Sequence, residues 1–552
     1  MDDVPPNMTD YGSTYRSFRL EVPDRFNFAR DVVDAWAARS PDKVALVAVG
    51  PDGGEARTFS FLDLSRWSNR VANLLLAAGV RSGDRVSTLL PRIPEWYAMM
   101  LGCFKIGAVP MPGTPLLTAG DLRYRIGRAD ASVAITDEAG VEKIDAVVDE
   151  CPSLTTRIAV GTEGDGWLNF ERGVDRASDA APDVEPTRAD DPLLIYFTSG
   201  TTSYPKMVLH SHASYGIGHE ITARFWQDLH ATDLHWTISD TGWAKAAWGK
   251  LFGQWRIGAA VFLWDLRGKP DYELLLRLIE EQRVTTFCAP PTVLRTLVQL
   301  DLRRHDWSAL RHCVSAGEPL NPEVIEVWRE ATGLTILDGY GQTETVNVLA
   351  NFRCLDVRPG SAGKPTPGFD VRVVDDDGAP LPAGDEGHIA IRVAPERPVG
   401  LFRGYWRDEE ATRDAFRGDW YFTGDRARVD EDGYFWFVGR DDDVIKSSGY
   451  RIGPFEVESA LVEHAAVAEA AVVGKPDRAR GQIVKAFVVL APGFEGNPEL
   501  AAALQDHVKR VTAPYKYPRE IEFVPDLPKT VSGKIRRVEL REREAGSADR
   551  GR

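Results

Sequence analysis

The sequence predicts an α/β protein: a large N-terminal domain of parallel-sheet α/β subdomains with a small β-rich subdomain, followed by a smaller α+β C-terminal domain. Three observations support this prediction. Strand-like and helix-like segments alternate through the first part of the chain. Residues 371–393 and 420–440 instead read as alternating strands joined by Gly-containing turns, which is typical of antiparallel strands. A chain of 552 residues also exceeds what one hydrophobic core usually serves.

The alternation begins with the strand-like VALVAV at 44–49, followed by residues 59–80, whose apolar side chains recur at helical spacing. The strand-like DRVSTLLP and a helix over 95–106 come next. Further on, LLIYF at 193–197 reads as a buried strand, and a helix is expected over 214–226. This repeated order predicts parallel sheets with helices packed on their faces.

Composition excludes several classes of protein. A hydrophobic content of 43% and a charged content of 27% are ordinary for a globular protein. The formal charge of −16 argues against nucleic-acid binding, which needs a basic excess. Five scattered cysteines without a CxxC pair suggest neither a disulfide framework nor a zinc site, and we expect a reducing cytoplasm. The sequence shows no secretory signal and no run long enough for stable membrane insertion.

The first chemical motif is TSGTTSYPK at 198–206, directly after the predicted strand. Five hydroxyl side chains surround one glycine, and Pro205 and Lys206 close the segment. Backbone N–H groups, hydroxyls and one ammonium suit phosphate oxygens. The segment is not the Walker loop, which needs GxxxxGK[ST]. An ordinary Ser/Thr-rich surface turn is the alternative interpretation.

The second motif is DGYGQTET at 338–345. Gly339 and Gly341 let the backbone approach a ligand, and Tyr340 offers a flat ring to a purine. Thr343 and Glu344 supply a hydroxyl and a carboxylate for phosphate and Mg²⁺, which shares its oxygen ligands with substrate phosphates. A polar turn is the alternative here.

The third motif is PKTVSGKIRR at 528–537, centred on Lys534. A lysine on a Gly-flanked loop can reach the cleft of another domain. There its ammonium can neutralise negative charge that develops on a bound phosphate ligand. For a lone lysine, a surface position would be the simpler interpretation.

These motifs, in this order, resemble those of the adenylate-forming superfamily of acyl-CoA synthetases, luciferases and peptide-synthetase adenylation domains. The resemblance extends from about Phe59 to Arg537, and APYKYPREIEF and GPFEVESAL look most like the medium-chain acyl-CoA synthetase branch. It implies that a carboxylic acid and ATP, with Mg²⁺, give acyl-AMP and pyrophosphate, and that CoA then gives acyl-CoA and AMP. One departure is Ser203, where the family usually has glycine.

The resemblance also implies roles for individual residues. Lys534, Thr343 and Glu344 are the expected catalytic residues, with Glu344 as the metal ligand, Asp425 and Arg440 at the ribose, and Gly317, Glu318 and Pro319 at the adenine. The expected ATP site consists of these residues together with Thr198, Ser199, Gly200, Thr201, Thr202, Ser203, Lys206, Asp338, Gly339, Tyr340, Gly341, Gln342 and Arg451.

The expected acyl pocket comprises Trp243, Lys245, Trp248, Cys288 and Gly341. By spacing alone the tryptophans of this region fit a packed core better than a cavity wall. Acetate-specific relatives usually carry tryptophan at the place of Gly341, where its bulk closes the pocket. The sequence therefore predicts a pocket longer than acetate requires.

The resemblance divides the chain into residues 1–440, holding the ATP and acyl sites, and residues 441–552, a mobile lid with the catalytic lysine and part of the CoA site. Asp442 is the expected hinge, in a run of three aspartates that favours solvent exposure. The basic residues of the CoA site could equally be solvated surface. The expected CoA site consists of Ser448, Gly449, Tyr450, Arg480, Lys509, Tyr517, Pro518 and Arg519.

Two alternative functions share this fold. One is an adenylating ligase that loads a separate carrier protein, and the other is a non-catalytic sensor of nucleotide or acyl-CoA. The identity of the carboxylic acid, the pathway and the oligomeric state, including a homo-oligomer, stay open at this point.

Overall fold

The computed structural model describes residues 5–198, 205–318, 320–441, 443–447, 450–477, 480–529 and 534–549. Within these ranges it has the predicted α/β class, with parallel sheets in a large N-terminal part and a smaller C-terminal α+β domain. The α-helices, in chain order, are α1 (Tyr11–Ser17), α2 (Ala35–Arg39), α3 (Phe61–Ala77), α4 (Pro94–Lys105), α5 (Ala119–Ala129), α6 (Glu138–Asp145), α7 (Phe170–Arg176), α8 (His219–Ile221), α9 (Ala244–Gly249), α10 (Phe252–Ile257), α11 (Tyr272–Glu281), α12 (Pro291–Leu297), α13 (Pro322–Thr332), α14 (Glu409–Ala415), α15 (Pro454–Val462), α16 (Pro498–Val511) and α17 (Arg537–Asp549).

The largest sheet has nine strands, six of them parallel, and it carries the predicted site at one edge. Its strands are short runs of β-branched, aromatic and small residues, which suit a sheet buried on both faces. With strands numbered in chain order, the sheet runs β16 (Lys364–Pro365), β15 (Leu349–Ala350), β14 (Ile336–Tyr340), β13 (His312–Ala316), β12 (Thr286–Ala289), β10 (Leu234–Thr237), β11 (Ala260–Trp264), β1 (Val44–Val49) and β2 (Arg57–Ser60).

Two further sheets belong to the large N-terminal part. A parallel five-stranded sheet runs β4 (Val109–Pro112), β3 (Arg85–Leu89), β5 (Val133–Asp137), β6 (Thr156–Val160) and β7 (Leu168–Asn169). An antiparallel three-stranded sheet runs β19 (Gly404–Tyr405), β9 (Lys206–Ser211) and β8 (Pro192–Thr198). The strand predicted at 193–197 is therefore present, and the chain on both sides of the first motif lies in one hairpin.

The predicted β-rich subdomain is an antiparallel sheet of β17 (Val371–Val374), β18 (Glu386–Arg392), β21 (Trp420–Val429) and β20 (Phe416–Arg417), with β22 (Phe435–Arg440) on the other side of β21. The C-terminal sheet contains β24 (Tyr450–Ile452), β23 (Ile445–Ser447), β26 (Gly481–Leu490), β25 (Val467–Asp477) and β27 (Glu520–Phe523). Helices α15 and α17 contact β25 in this sheet. The domain division at 440 stays a prediction.

Local sequence explains how the helices begin. At α3, the Ser60 hydroxyl accepts from the Asp63 N–H, and the Asp63 carboxylate accepts from the Ser60 N–H at 2.8 Å. This reciprocal capping box satisfies N–H groups that the first helical turn leaves unpaired. Phe61, Leu64 and Leu75 of α3 are fully buried, as the helical spacing of apolar residues predicted.

The predicted helix over 214–226 differs in form. Wide π-helical turns over His212–Ile217 and Thr222–Trp226 flank the short α8. A side chain at Gly218 would meet the Gly400 backbone at 2.6 Å, so glycine permits a close approach of another chain segment here. Apolar periodicity does not distinguish α-helical from π-helical winding, since both bury one face.

No helix in the described ranges is long and apolar enough to cross a membrane.

Candidate active site

The carboxyl ends of neighbouring parallel strands bring two predicted segments together. Strand β13 ends at Ala316, which pairs with Gly339 of β14. Residues 317–318 follow β13 directly, and residues 338–344 span the end of β14 and the loop after it. Ligands of open α/β sheets bind outside such carboxyl ends. The predicted adenine and phosphate segments therefore lie side by side.

Asp425 is the centre of a hydrogen-bond network that joins the large sheet to the β-rich subdomain. The Tyr340 hydroxyl donates to Asp425 Oδ2 at 2.6 Å, and Gln342 Nε2 donates to the same oxygen at 2.7 Å. Tyr421, which the sequence did not single out, holds the Gln342 amide by donating to its Oε1 at 2.9 Å. Asp425 thus presents a fixed carboxylate at the cleft.

Arg440 faces Asp425 across a strand pair. The two residues are register partners in β21 and β22, and Arg440 Nε lies 3.9 Å from Asp425 Oδ1. Burial raises the pKa of the Asp425 carboxyl, while the charge of Arg440 and the bonds from Tyr340 and Gln342 act in the opposite direction. Antiparallel pairing explains the spacing of the two residues in the sequence, which no turn alone would require.

Glu344 lies beside a second aromatic hydroxyl. Tyr405 donates to Glu344 Oε1 at 2.9 Å, and the Lys206 ammonium lies 4.7 Å from the centre of the Tyr405 ring. Burial raises the pKa of the Glu344 carboxyl, and the Tyr405 bond and the charges of Arg440 and Lys206 oppose that rise. The structure therefore joins Lys206 of the first motif to Glu344 of the second through Tyr405, which sequence reasoning missed.

Two buried side chains form hydrogen bonds to the carbonyl of Thr343. Tyr215 donates to this oxygen at 2.6 Å and His210 Nε2 lies 2.8 Å from it. Since a carbonyl oxygen only accepts, His210 donates through Nε2. Burial lowers the pKa of His210 to about 3, so the ring is neutral. His210 and Tyr215 lie in largely apolar segments of the sequence. Their role follows only from their contact with the second motif in the folded protein.

Asp338 lies at the base of the cleft. Its carboxylate accepts from the Leu320 N–H at 3.2 Å and from the Gly339 N–H at 3.0 Å. Burial raises the pKa of Asp338 to about 7, against the effect of these bonds and of Lys245. Lys245 donates to the Ala316 carbonyl, and a Cβ placed on Gly317 would lie 3.2 Å from its ammonium. Glu318 pairs with Arg295 at 3.5 Å.

Lys534 reaches the same cleft from the C-terminal domain. Burial is the main cause that lowers the pKa of Lys245, and the charge of Lys534 lowers it further. The same charge also lowers the pKa of Asp425. Both effects require the Lys534 ammonium to be near the two N-terminal side chains. The third motif is thus close to the other two.

The predicted acyl residues lie on α9, β12 and the second motif. Trp248 is 6% exposed, and a Cβ on Gly341 would meet its Cη2 at 2.4 Å. Cys288 is buried, which raises the pKa of its thiol, while the charge of Lys245 opposes this. Trp243 precedes α9 and is half-buried. The indole of Trp248 therefore lies against the place where a larger residue at 341 would project.

The predicted CoA residues fall into separate groups. Tyr517 is flanked by Lys509, whose ammonium lies 4.4 Å from its ring centre, and by Arg519, which donates to its hydroxyl at 2.9 Å. Pro518 is buried and Arg480 is exposed. Tyr450 is 52% exposed and stacks on Tyr515, which the sequence did not indicate, at 4.3 Å between ring centres.

Several predicted residues lie outside the described part of the chain: Ser199, Gly200, Thr201, Thr202, Ser203, Pro319, Asp442, Ser448, Gly449 and the side chain of Arg451. Thr198 is the last residue of β8 and Lys206 the first of β9, so both ends of the first motif are placed.

Over the described ranges, no group of three or more His, Cys, Asp or Glu side chains could hold a metal ion by itself. A metal at Glu344 would thus take its other ligands from substrate and water, as Mg²⁺ commonly does at phosphates.

Comparison with known proteins covers almost the whole chain. Residues 33–406 match the AMP-binding enzyme family, and residues 456–534 match the AMP-binding enzyme C-terminal domain. The acyl-coenzyme A synthetase ACSM3, mitochondrial, of Mus musculus is 48% identical over 552 residues, covering 98% of this chain and 94% of the relative. The acyl-coenzyme A synthetase ACSM4, mitochondrial, of Homo sapiens is 48% identical over 550 residues, with the same coverage.

Solved structures agree with this relationship. The anthranilate CoA ligase AuaEII in complex with anthranoyl-AMP has a TM-score of 0.88 and 32% identity, covering 96% of this chain and 99% of that one. A benzoate CoA ligase from Burkholderia xenovorans LB400 has a TM-score of 0.82 and 30% identity, covering 94% and 100%.

The predicted cytoplasmic location is wrong, because the relatives named above are mitochondrial by name. The prediction depended on scattered free cysteines, which indicate a reducing environment but do not identify the compartment.

The comparisons confirm the predicted superfamily, fold class and activity, which is that of an ATP-dependent acyl-CoA synthetase acting through an acyl-adenylate. By its sequence matches and its two-part fold, the chain belongs to the AMP-binding enzyme family.

Proposed function

We propose that the protein activates a medium-chain carboxylic acid, with branched and aromatic acids within its range, using ATP, Mg²⁺ and CoA. A carboxylate oxygen attacks the α-phosphorus of ATP and pyrophosphate leaves; the CoA thiolate then attacks the acyl carbon and AMP leaves. The observation that supports this proposal is the hydrogen-bond network at Asp425, in which Tyr340 and Gln342 of the second motif converge on the carboxylate expected at the ribose.

Asp425 is the proposed acceptor for the ribose hydroxyls. Its carboxylate is fixed by Tyr340 and Gln342, so little ordering remains to be done when the nucleotide binds. Arg440, 3.9 Å away, favours the ionised form of the carboxylate against the effect of burial on its pKa and supplies positive charge beside it. The adenine is proposed to lie over Tyr340, next to Gly317.

Glu344 is the proposed protein ligand of Mg²⁺. The carboxylate fits a hard cation, and Tyr405 fixes one of its oxygens. When bound, Mg²⁺ supplies positive charge that neutralises the phosphate oxygens. The protein itself holds the Glu344 carboxylate in one orientation, because His210 and Tyr215 hydrogen-bond to the carbonyl of the preceding residue, Thr343.

Lys534 is the proposed stabiliser of the charge that develops during adenylation. An ammonium aimed at a transition-state charge acts most strongly in a cleft from which water is largely excluded. The protein forms no covalent intermediate in this proposal, and catalysis depends on positioning and electrostatic stabilisation.

The acyl chain is proposed to lie between Trp248, Cys288 and Gly341. The buried indole and thiol offer an apolar wall, and Lys245 beside Cys288 is already engaged by the Ala316 carbonyl. Gly341 carries no side chain, and the Trp248 ring and the Val346 carbonyl already occupy the space where a Cβ would lie. We therefore expect Trp248 and Gly341 to set the length of the acid together.

Thioester formation is proposed to use a rotated C-terminal domain with its hinge at Asp442. Replacing Asp442 with proline fixes φ at this position and should restrict rotation. We expect adenylate formation to remain largely intact while CoA transfer is lost. Pyrophosphate exchange and thioester formation, measured on the same preparation, check this. Equal loss of both would contradict the hinge.

The decisive experiment supplies purified protein with Mg²⁺, ATP and a panel of acids: acetate, butyrate, hexanoate, octanoate, decanoate, isovalerate and benzoate. Exchange of labelled pyrophosphate into ATP reports adenylation, and AMP release with CoA reports the whole reaction. We expect both to be largest with acids longer than acetate. Exchange with none of these acids would overturn the function, and a maximum at acetate would overturn the chain length.

The same assay separates the alternatives. Thioester formation with free CoA distinguishes this enzyme from a ligase that needs a separate carrier protein. Acid-dependent release of AMP excludes a non-catalytic sensor. The presence of Glu344, Asp425 and Lys534 near one cleft favours catalysis over sensing.

A further inference from the structure

A second polar site lies where β10 and β11 end. Lys250, the residue after α9, is 1% exposed, and its side chain lines a cavity of about 10 Å³ together with Arg92, Trp236, Ser239 and Trp264. This cavity has room for about one water molecule. Arg92 also lines a larger adjoining cavity of about 470 Å³ near the β1–β2 turn.

The two cations at this site lack the partners that buried charges usually have. Arg92 donates through Nη2 to the Leu266 carbonyl at 2.9 Å, which occupies one of its five N–H groups. Within the described residues, no carboxylate lies within 4 Å of Arg92 or Lys250, and the Lys250 ammonium has no hydrogen bond to protein. A buried ammonium without a partner is unusual, because desolvation strongly disfavours its charge.

The nearest carboxylates are engaged elsewhere. Asp240 Oδ1 accepts from the Gly242 N–H at 2.9 Å, and Asp265 pairs with Arg267 at 2.7 Å. Burial and the charge of Arg92 lower the pKa of Lys250 to about 7, with Asp240 opposing. Burial likewise lowers the pKa of Arg92. Two basic side chains thus face one small space without a carboxylate in contact.

We propose that Arg92 and Lys250 form a binding site for a small monovalent inorganic anion of the size of chloride. A single anion in the small cavity would receive N–H donors from both cations and balance their charge. The cavity of about 10 Å³ has room for no more than one small ion, and Arg92 also lines the larger cavity next to it. The site is distinct from the ATP cleft, although Thr237 lines it and is hydrogen-bonded to the Cys288 thiol.

Thermal unfolding tests the site by exchanging sodium gluconate for sodium chloride at constant ionic strength, since gluconate is too large for the cavity. An anion that binds only the folded state raises its stability saturably, and we expect a rise in Tm of about 1–3 °C for the wild type. Lys250→Met removes the charge at similar volume. It should abolish the chloride-dependent rise and be at least as stable as the wild type in gluconate.

Lys269→Met is the matched control, because Lys269 is an exposed lysine nearby in the chain, and this variant should keep the full chloride effect. A wild type that unfolds identically in both salts would mean that water alone occupies the cavity, and this would overturn the proposal. A chloride effect that persists in Lys250→Met would overturn it too.

A direct measurement covers the case in which Lys250→Met fails to fold. Chloride exchanging at a protein site broadens its chlorine NMR line; for the wild type this broadening should persist when gluconate, which is too large for the cavity, is added. Unbroadened chloride in the presence of the wild-type protein would contradict the proposal without any variant.

Discussion

The two walls of the cleft are built on different principles. The nucleotide wall is polar: Asp425, Tyr340, Gln342 and Arg440 are joined by hydrogen bonds and an ion contact of 2.6–3.9 Å. The acyl wall is a packing arrangement, in which the indole of Trp248 fills space beside Gly341. Polar geometry is specified by a few residue types at fixed positions, whereas a packed cavity depends on volumes from several elements. This difference explains why the motifs identify the nucleotide but do not determine which carboxylic acid the protein uses.

The largest expected effect is at Lys534, which we propose reaches the nucleotide wall from the C-terminal domain. Lys534→Ala should lower pyrophosphate exchange by about 10²–10³-fold, because a charge aimed at the transition state is lost. The KM for ATP should change much less, since ground-state binding keeps Asp425 and Arg440. Steady-state exchange kinetics measure both quantities.

Lys529→Ala is the control for this variant. Lys529 lies in the same motif and pairs with Glu469 of its own domain at 2.7 Å. It should retain exchange activity, and circular dichroism should show both variants folded. If Lys534→Ala kept wild-type exchange, the proposed role of the third motif would be wrong.

The next effect tests the polar wall itself. Asp425→Ala removes the acceptor at which Tyr340 and Gln342 converge, and hydrogen bonds to a charged group contribute about 1.5–3 kcal/mol. We expect a rise in the KM for ATP of about 10–100-fold, with the preference among acids unchanged. Kinetics with varied ATP and then varied acid check this. A changed preference among acids would show that the nucleotide wall and the acyl wall do not act independently.

A substitution in the acyl wall should affect the preference among acids more than the KM for ATP. Gly341→Trp adds bulk where even a Cβ meets the Trp248 ring at 2.4 Å and the Val346 carbonyl at 2.5 Å. We expect kcat/KM for octanoate to fall at least about tenfold, since a lost or misplaced group of methylenes costs about 1–3 kcal/mol. Activity with acetate and the KM for ATP should change less.

Gly127→Ala serves as the control for this substitution, because a Cβ there meets nothing within 4 Å. It should leave all kinetic constants unchanged. An equal loss for acetate and octanoate in Gly341→Trp would indicate general disruption and would contradict a role in selecting length.

The same contrast explains what the sequence could predict. Strand and helix order follows from local patterns, and the three motifs carry the resemblance that implies the roles of Asp425 and Arg440. Tyr405, Tyr421, His210 and Tyr215 were missed because each is an isolated residue whose role arises from tertiary contact. Lys250 and Arg92 were missed for the same reason, since they lie 158 positions apart by their numbering.

The last expected effect is on stability rather than on catalysis, and it concerns Asp338, where the two walls meet. Its pKa is about 7 in the folded protein and near 3.8 when exposed to water, so between these values the folded state binds more protons than the unfolded state. The contribution of this group to stability is therefore complete below about pH 4 and is lost as pH rises to about 7. The loss amounts to at most about 4 kcal/mol, at 1.36 kcal/mol for each pKa unit.

Asp338→Asn removes this titration while keeping an oxygen that can accept from the Leu320 or the Gly339 N–H. The free energy of unfolding in urea should therefore fall less between pH 5 and pH 8 in the variant than in the wild type. Asp385→Asn, at an exposed position, should retain the wild-type dependence. If Asp338→Asn kept it as well, the carboxyl would be ionised at pH 5, and the hydrogen bonds and the charge of Lys245 would outweigh burial at the base of the cleft.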